Sequence, residues 1–211
     1  MNPQTTQDAP EFAVTLRDGS QVLIRTICAS DKPLVAAAYD RLSPESRRRR
    51  FLVAPSRLSD EDLRDLTEVD HRRHEALIAL DAETGEAVGD ARYVRLPGDR
   101  EAAEVATVVA DGWHGRGLAT ALLTELTHRA RANGLSRYTA VVSADNRVVL
   151  DALEALGARR TGTGGDEVEL EIELPSEELP GRLRGALRWA AEGQLRLLGG
   201  LARRLAPWAS K

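Results

Sequence analysis

Hydrophobic and polar residues alternate near the start of the chain and then change to helical spacing. Residues 12–27 alternate on both sides of Asp18-Gly19, a pair typical of a tight hairpin turn, so we predict two antiparallel strands. Apolar residues three and four positions apart then predict helices over residues 31–42 and 59–67. Ser30 or Asp31 is the expected N-cap of the first helix, and Ser59 with Asp62 resembles a capping box at the start of the second. Between these two, the stretch "SPESRRRRF" predicts another helix that begins at a proline.

The second half of the chain alternates predicted strands with predicted helices. Two strands are expected around Thr84-Gly85, and "EAAEVATVVAD" predicts a third. Helical spacing over residues 117–133 ends at Gly134, and "RYTAVVS" predicts the next strand. A helix over "NRVVLDALEAL" is stopped by Gly157, and "ARRTGT" and "EVELEIEL" predict a last pair of strands.

This order of elements predicts an α/β protein in which helices cover a mixed sheet. One strand–helix–strand unit lies in the middle, from about residue 102 to residue 142. A connection of that length implies that its two strands are parallel neighbours. The glycine-rich turn "DGWHGRGLA" follows the first of these strands, at its carboxyl end. Ligands of open α/β sheets bind at that end, so the turn is the first candidate site.

Composition and charge exclude several classes of protein. The chain has 211 residues, of which 42% are hydrophobic and 29% are charged, as in a globular domain. Its net charge of −4 does not suggest a nucleic-acid partner. Cys28 is the single cysteine, which excludes an internal disulfide and a cysteine-based zinc site. With neither signal-peptide features nor an apolar run of about 20 residues, we expect a cytoplasmic protein.

The charge is distributed unevenly along the chain. Residues 176–211 carry seven basic and three acidic side chains, whereas the remainder carries 22 basic and 30 acidic ones. We therefore divide the chain into a flexible start at 1–11, a domain at 12–174 and a basic amphipathic helical extension at 175–211. Three possibilities stay open for residues 182–208: packing on the domain or on a second copy, contact with an anionic membrane, and disorder.

The glycine turn has the features of an anion site. Gly115 and Gly117 leave space where backbone amides must approach a ligand, and a predicted helix begins directly afterwards. The first amides of a helix have no intrahelical partner, and the helix dipole adds partial positive charge there. Arg116 adds a full charge. Because Leu118 and Ala119 replace the Lys and Ser/Thr of a P-loop, we expect a pyrophosphate that is held and does not react.

The segment "HGRGLA" resembles the Q/R-x-x-G-x-G/A motif of the GNAT acetyltransferase superfamily, with His114 in the Gln/Arg position. The predicted order of elements also matches that superfamily over about residues 12–174. The stretches "LRDGSQVLIRTI", "RLSPESRRRRF" and "AEVATVVADGWHGRGLATALL" are most similar to the GNAT domain of Pat-type bacterial protein lysine acetyltransferases. The resemblance implies the GNAT fold, with a mixed and mostly antiparallel sheet.

The resemblance also implies where acetyl-CoA binds. The strand at 104–109 would splay from the strand at 137–142, and the pantetheine arm would pair with backbone groups near Val108 and Val109. Asn146 stands where the family commonly has an asparagine near the cofactor arm, although it is also a possible helix N-cap. The turn would hold the pyrophosphate through His114, Gly115, Arg116, Gly117, Leu118, Ala119 and Thr120.

Glu104 is the best candidate for a general base. Acetyl transfer needs a neutral amine, and free lysine has a pKa near ~10.4, so a base must take its proton. Glu104 lies on the strand that would carry the thioester, and it matches the base of Pat-type enzymes. Glu75 and Glu101 are weaker candidates because no motif places them. Many family members have a tyrosine acid four residues before a glycine of the last core helix, but Leu153 occupies that position.

The sequence therefore predicts an acetyl-CoA-dependent N-acetyltransferase that acts on lysine side chains of proteins. Two alternatives stay open: a small-molecule amine acetyltransferase, and a non-catalytic acetyl-CoA sensor. His71 and His74 in "DHRRHE" lie three residues apart without an evident third ligand, so we expect no metal site. Most arginine runs are solvated, so we expect the same of the run at 47–50.

Overall fold

The computed structural model describes residues 11–43, 57–144, 147–154, 157–165 and 167–174. The described strands are β1 Phe12–Thr15, β2 Gln21–Thr26, β3 His74–Asp81, β4 Ala87–Arg95, β5 Ala102–Val109, β6 Arg137–Ser143, β7 Arg159–Gly164 and β8 Glu167–Glu173. The described helices are α1 Lys32–Arg41, α2 Asp60–Thr67, α3 Leu118–Ala132 and α4 Arg147–Glu154. All of these elements were predicted from the sequence. The helix predicted from "SPESRRRRF" and the extension at 175–211 lie outside the described residues.

The strands form one eight-stranded sheet in the order β1-β2-β3-β4-β5-β6-β8-β7. Neighbouring strands of the described sheet are antiparallel except β5 and β6, which are parallel. The parallel pair is joined by α3, as the length of the crossover predicted. The predicted fold class, a mixed and mostly antiparallel sheet flanked by helices, is confirmed.

Helices cover both faces of the sheet. One face packs against α3, whose core contacts are made by Leu118, Leu122 and Leu126. The opposite face is covered by α1 and α2, with Ile27 and Ile78 at the centre of a smaller apolar cluster. Side chains alternate between the two faces along each strand, so neighbouring residues of β5 belong to different layers. Within the described residues, no helix is both long and apolar enough to cross a membrane.

Side-chain capping fixes the start of α2, whereas the residue at the N-cap of α1 has another role. The Ser59 side chain accepts the Asp62 amide at 3.1 Å and Asp62 accepts the Ser59 amide at 2.8 Å, which is the predicted capping box of α2. Asp31 occupies the predicted N-cap of α1, but its side chain makes no cap hydrogen bond to that helix. Its two oxygens instead accept the Arg25 guanidinium at 2.7 Å each, which ties β2 to α1.

Asp31 makes part of the stability depend on pH. Burial by itself raises the pKa of this carboxyl, but the Arg25 guanidinium and the Cys28 amide outweigh it and lower the pKa below its usual value. The contribution is therefore complete above the unfolded pKa of about 3.9 and is lost as pH falls through the lower native pKa. We expect Asp31→Asn to lower the free energy of unfolding by about 1.5–3 kcal/mol at pH 7, because hydrogen bonds to charged groups contribute about that much.

Urea unfolding of both proteins from pH 7 to pH 2 measures this effect, and the difference between them should shrink in acid. Asp151→Asn is the matched control, because Asp151 is an exposed carboxylate on α4. A difference between wild type and Asp31→Asn that stays constant across this range would contradict the assigned role.

Candidate functional site

A gap opens between β5 and β6 toward their carboxyl ends. The parallel register pairs only Ala102–Glu104 with Arg137–Thr139. Beyond that point, β5 continues to Val109 in register with β4, and β6 continues in register with β8. The two strands therefore separate into a V, which is the splay expected from the resemblance.

The backbone of Val109 faces this gap. The next amide, that of Ala110, donates to the Val88 carbonyl on β4 at 2.9 Å. Amides of successive strand residues point to opposite edges, so the amide of Val109 points toward β6 and that of Val108 points toward β4. The Val109 carbonyl pairs with the His114 Nε2 at 2.9 Å. Val109 therefore points its amide toward the gap and Val108 points its amide toward β4, while the predicted contact of these residues with the cofactor arm stays a prediction.

The glycine turn connects the end of β5 to the start of α3. Gly115 and Gly117 have φ values of 76° and 94°, a left-handed conformation that favours glycine. Gly117 is the N-cap, and its carbonyl accepts the amide of Ala121 at 3.1 Å. The amides of Leu118, Ala119 and Thr120 precede that first helical bond and have no intrahelical acceptor. The turn therefore presents three amides without an intrahelical acceptor at the positive end of the helix dipole.

The side chain of Thr120 also suits an anionic ligand. Its Oγ1 is buried and has no hydrogen-bond partner. A buried hydroxyl normally has a partner, and leaving it without one costs about 1–3 kcal/mol. Its place in the first turn of α3, beside the orphan amides, suits a phosphate oxygen. The turn and this hydroxyl together have the features of an anion site, and the pyrophosphate contact stays a prediction.

Arg116, the predicted cation of the turn, is already engaged by protein groups. Its Nη2 donates to the Gly112 carbonyl at 2.7 Å, and its Nη1 lies 3.1 Å from an Asp18 carboxylate oxygen. Its guanidinium also lies over the Trp113 ring, 4.7 Å from the centroid. Hydrogen bonds from Ser20, together with the charge of Arg116, lower the pKa of Asp18. The positive charge of Arg116 is therefore offset by the carboxylate of Asp18, and this ion pair links the turn to the β1–β2 hairpin.

Sequence reasoning missed a second arginine beside the turn. Arg17 lies in the hairpin turn, and its amide donates to the Arg116 carbonyl at 3.2 Å. Its side chain packs against Gly117. No local signal in the sequence connects a hairpin turn to a distant glycine turn, since only the folded sheet brings the two together.

Glu104 lies at the point where the V begins. It forms the last registered pair of the parallel strands, with Thr139, and it is 4% exposed. Its strand neighbours Ala103 and Val105 point into the core shared with α3. Alternation therefore places the Glu104 side chain on the opposite face, the one covered by α1 and α2. The predicted base is thus a buried carboxylate at the apex of the gap.

The weaker carboxylate candidates lie elsewhere and contact other groups. Glu75 is buried and pairs with the His71 Nδ1 at 2.8 Å and the Arg129 Nη1 at 3.9 Å. Glu101 accepts a hydrogen bond from the Ser136 hydroxyl at 3.1 Å. Both contribute to the structure away from the gap, which leaves Glu104 as the carboxylate at its apex.

Other residues singled out in the sequence have structural contacts or lie outside the described part. The Tyr138 hydroxyl donates to the Leu126 carbonyl at 3.2 Å and burial raises the pKa of this hydroxyl, so Tyr138 is a packing residue of the core. Leu153 is buried in the cluster formed with α4. Asn146 and the arginines at 47–50 lie outside the described residues. Across the described ranges, no three His, Cys, Asp or Glu side chains come together as metal ligands.

Comparisons with known proteins agree on one family. The model of the acetyltransferase (GNAT) family matches residues 37–158, more than half of the chain. An acetyltransferase of Pseudomonas aeruginosa is 36% identical over 152 residues, which cover 71% of this chain and 81% of that protein. The acetyltransferase Pat of Mycolicibacterium smegmatis is 29% identical over 164 residues, covering 77% of this chain and 48% of that protein.

A solved structure supports the same assignment. The crystal structure of the GNAT domain of S. lividans PAT superposes with a TM-score of 0.70 at 31% identity. The match covers 78% of this chain and 97% of that domain. The chain therefore spans nearly all of a separate GNAT domain, but only about half the length of the M. smegmatis relative.

Proposed function

The chain belongs to the acetyltransferase (GNAT) family, and from this membership we propose that it transfers acetyl groups from acetyl-CoA to lysine side chains of proteins. The observation that carries the proposal is the V between β5 and β6, which has Glu104 at its apex and the glycine turn at its open end. A donor with an anionic handle would lie along that gap, with its handle at the glycine turn and its reacting end toward the buried carboxylate.

The residues present fit acetyl-CoA, which supplies an activated thioester. The amides of Leu118, Ala119 and Thr120, and the Thr120 hydroxyl, would hold the pyrophosphate. The Val109 amide faces the gap, where it would donate to the pantetheine arm or to the thioester oxygen as that oxygen gains charge. The His114 Nε2 pairs with the Val109 carbonyl, which lies in the following peptide unit, and this contact ties the glycine turn to the end of β5.

Glu104 would take the proton from the acceptor amine. Lysine ionises near pH ~10.4 in water, so at neutral pH it arrives as an ammonium that cannot attack a carbonyl. A buried carboxylate at the apex would accept this proton, directly or through one water. Leu153 supplies no proton, so the leaving thiolate would depart unprotonated or take a proton from water.

Negative charge on α2 favours a cationic substrate. The first turn of α2 carries Asp60, Glu61 and Asp62. Burial and the charges of Glu61 and Asp62 raise the pKa of Asp65 on the same helix. This helix covers the face of the sheet that bears Glu104, so a lysine side chain would approach through negative potential. The acidic helix supports an amine acceptor, and the resemblance to Pat-type enzymes supports a protein lysine.

The proposal is tested by incubating the purified chain with acetyl-CoA and a panel of acceptors, with release of free CoA thiol as the readout. We expect turnover with lysine-containing proteins, and mass spectrometry should locate the acetyl groups on lysine side chains. Turnover with small amines alone would assign the acceptor differently. Binding of acetyl-CoA without acetylation of any acceptor would favour a sensor.

A further inference from the structure

The β1–β2 hairpin is fixed against the glycine turn by two contacts. The Arg17 amide donates to the Arg116 carbonyl at 3.2 Å, and Asp18 pairs with the Arg116 guanidinium at 3.1 Å. One contact joins the two backbones and the other joins two side chains. The hairpin turn therefore has a defined position beside the start of α3.

This position brings the Arg17 side chain to the N-cap of α3. A Cβ built on Gly117 would lie 3.6 Å from the Arg17 Nε, 3.8 Å from its Cγ and 3.9 Å from its Cδ. The guanidinium group, which includes Nε, is thus beside the residue whose successors present the orphan amides. Because Gly117 has no side chain, Arg17 can lie against the turn without displacing it. The Arg17 guanidinium and the amides of the turn can therefore contact the same ligand.

The two arginines differ in how their charges are used. Arg116 is paired with Asp18 and donates to a backbone carbonyl. Arg17 is exposed, and within the described part of the chain its side chain has neither an ion pair nor a hydrogen bond. An unpaired guanidinium beside a helix N-terminus adds its field to the helix dipole instead of cancelling a carboxylate.

We propose that Arg17 binds the pyrophosphate of acetyl-CoA, together with the first amides of α3 and the Thr120 hydroxyl. This inference rests on the proposed function, and it assigns the cationic contact to the hairpin, whereas Arg116 holds the hairpin in place. A guanidinium suits the task because its planar donors match two phosphate oxygens at once. The N-terminal hairpin thereby becomes a third wall of the cofactor site.

The test is the dissociation constant of CoA and of dephospho-CoA, measured by titration calorimetry on the full chain at fixed salt. We expect Arg17→Ala to weaken both ligands by the same factor, about 10- to 100-fold, as for loss of hydrogen bonds to a charged group. The dissociation constants of Arg17→Lys should lie between those of the wild type and those of Arg17→Ala, since lysine keeps the charge and loses the planar donors.

Arg100→Ala is the matched control. Arg100 is also exposed and also carries one positive charge. It lies before the start of β5, whereas the glycine turn lies after the end of that strand, so the two are separated by about 25 Å. This variant should bind both ligands as the wild type does. Equal weakening by Arg17→Ala and Arg100→Ala would mean that only net charge matters, which overturns the proposal.

The remaining outcomes separate the inference from the function on which it rests. Wild type that binds CoA while Arg17→Ala binds equally well would overturn the role of Arg17 and leave the acetyltransferase proposal intact. Weaker binding of CoA by Arg17→Ala, with unchanged binding of dephospho-CoA, would assign Arg17 to the 3′-phosphate and overturn the pyrophosphate contact. Wild type that binds neither ligand would overturn both proposals. Thermal unfolding without ligand should give Arg17→Ala the same midpoint as the wild type, because Arg17 is exposed.

Discussion

Glu104→Gln is expected to lower kcat for acetyl transfer by a factor of about 10²–10⁴, the usual contribution of a general base. The amide is nearly the same size as the carboxylate, so the buried apex of the V should keep its shape. Only the ability to accept a proton at that position is removed. The dissociation constant for acetyl-CoA should stay unchanged, because the turn at the other end of the gap is untouched.

The measurement is steady-state release of CoA thiol, with calorimetric binding of acetyl-CoA on the same preparations. Glu101→Gln is the matched control, because Glu101 precedes the same strand, is exposed and contacts Ser136. This control should retain wild-type turnover. Full activity in Glu104→Gln would remove Glu104 as the base, and loss of cofactor binding along with turnover would assign it a structural role.

Arg92→Ala should cause the largest loss of stability, about 3–5 kcal/mol, as expected when one partner of a buried charge pair is removed. Arg92 lies on the central strand β4 and is only 1% exposed, although it carries a charged side chain. Its guanidinium donates to Asp90 at 2.5 Å and 3.1 Å and to the Leu66 carbonyl at the end of α2 at 3.1 Å. The substitution removes these bonds and leaves a cavity between the sheet and α2.

Urea unfolding at pH 7 measures this loss. Arg159→Ala is the surface control: Arg159 also pairs with a carboxylate, that of Glu173, but the two side chains are 64% and 72% exposed. Exposed pairs contribute about 0–1 kcal/mol, so this variant should unfold almost as the wild type does. A loss of similar size in both variants would show that burial of Arg92 is not the source of its contribution.

Most of the described fold could be predicted because its signals are local. Alternation around Asp18-Gly19 and Thr84-Gly85 predicted hairpins, and both are present as β1–β2 and β3–β4. The capping box at Ser59 predicted the start of α2. The spacing of apolar residues predicted α3, and the length of that crossover predicted the parallel pair. Each of these inferences depends on residues that are close together in the chain.

The candidate site was predicted less completely. The glycine turn and Glu104 were identified from motif and strand position, and their roles stay predictions. Arg116 was expected to present its charge to the ligand, but the fold places Asp18 against it. The sequence could not indicate this pairing, because the charge available at a site depends on which opposite charges lie within a few ångströms.

The sequence by itself determined the elements, their order, the parallel crossover and the glycine turn at Gly115 and Gly117, since these follow from local periodicity and turn chemistry. Only the tertiary structure decided three further features: how far β5 and β6 stay paired, that Arg92 is buried, and that Arg17 lies beside Gly117. Each of these depends on strand register and on contacts between segments distant in the chain. Such contacts form only when the whole sheet assembles, so no local pattern encodes them.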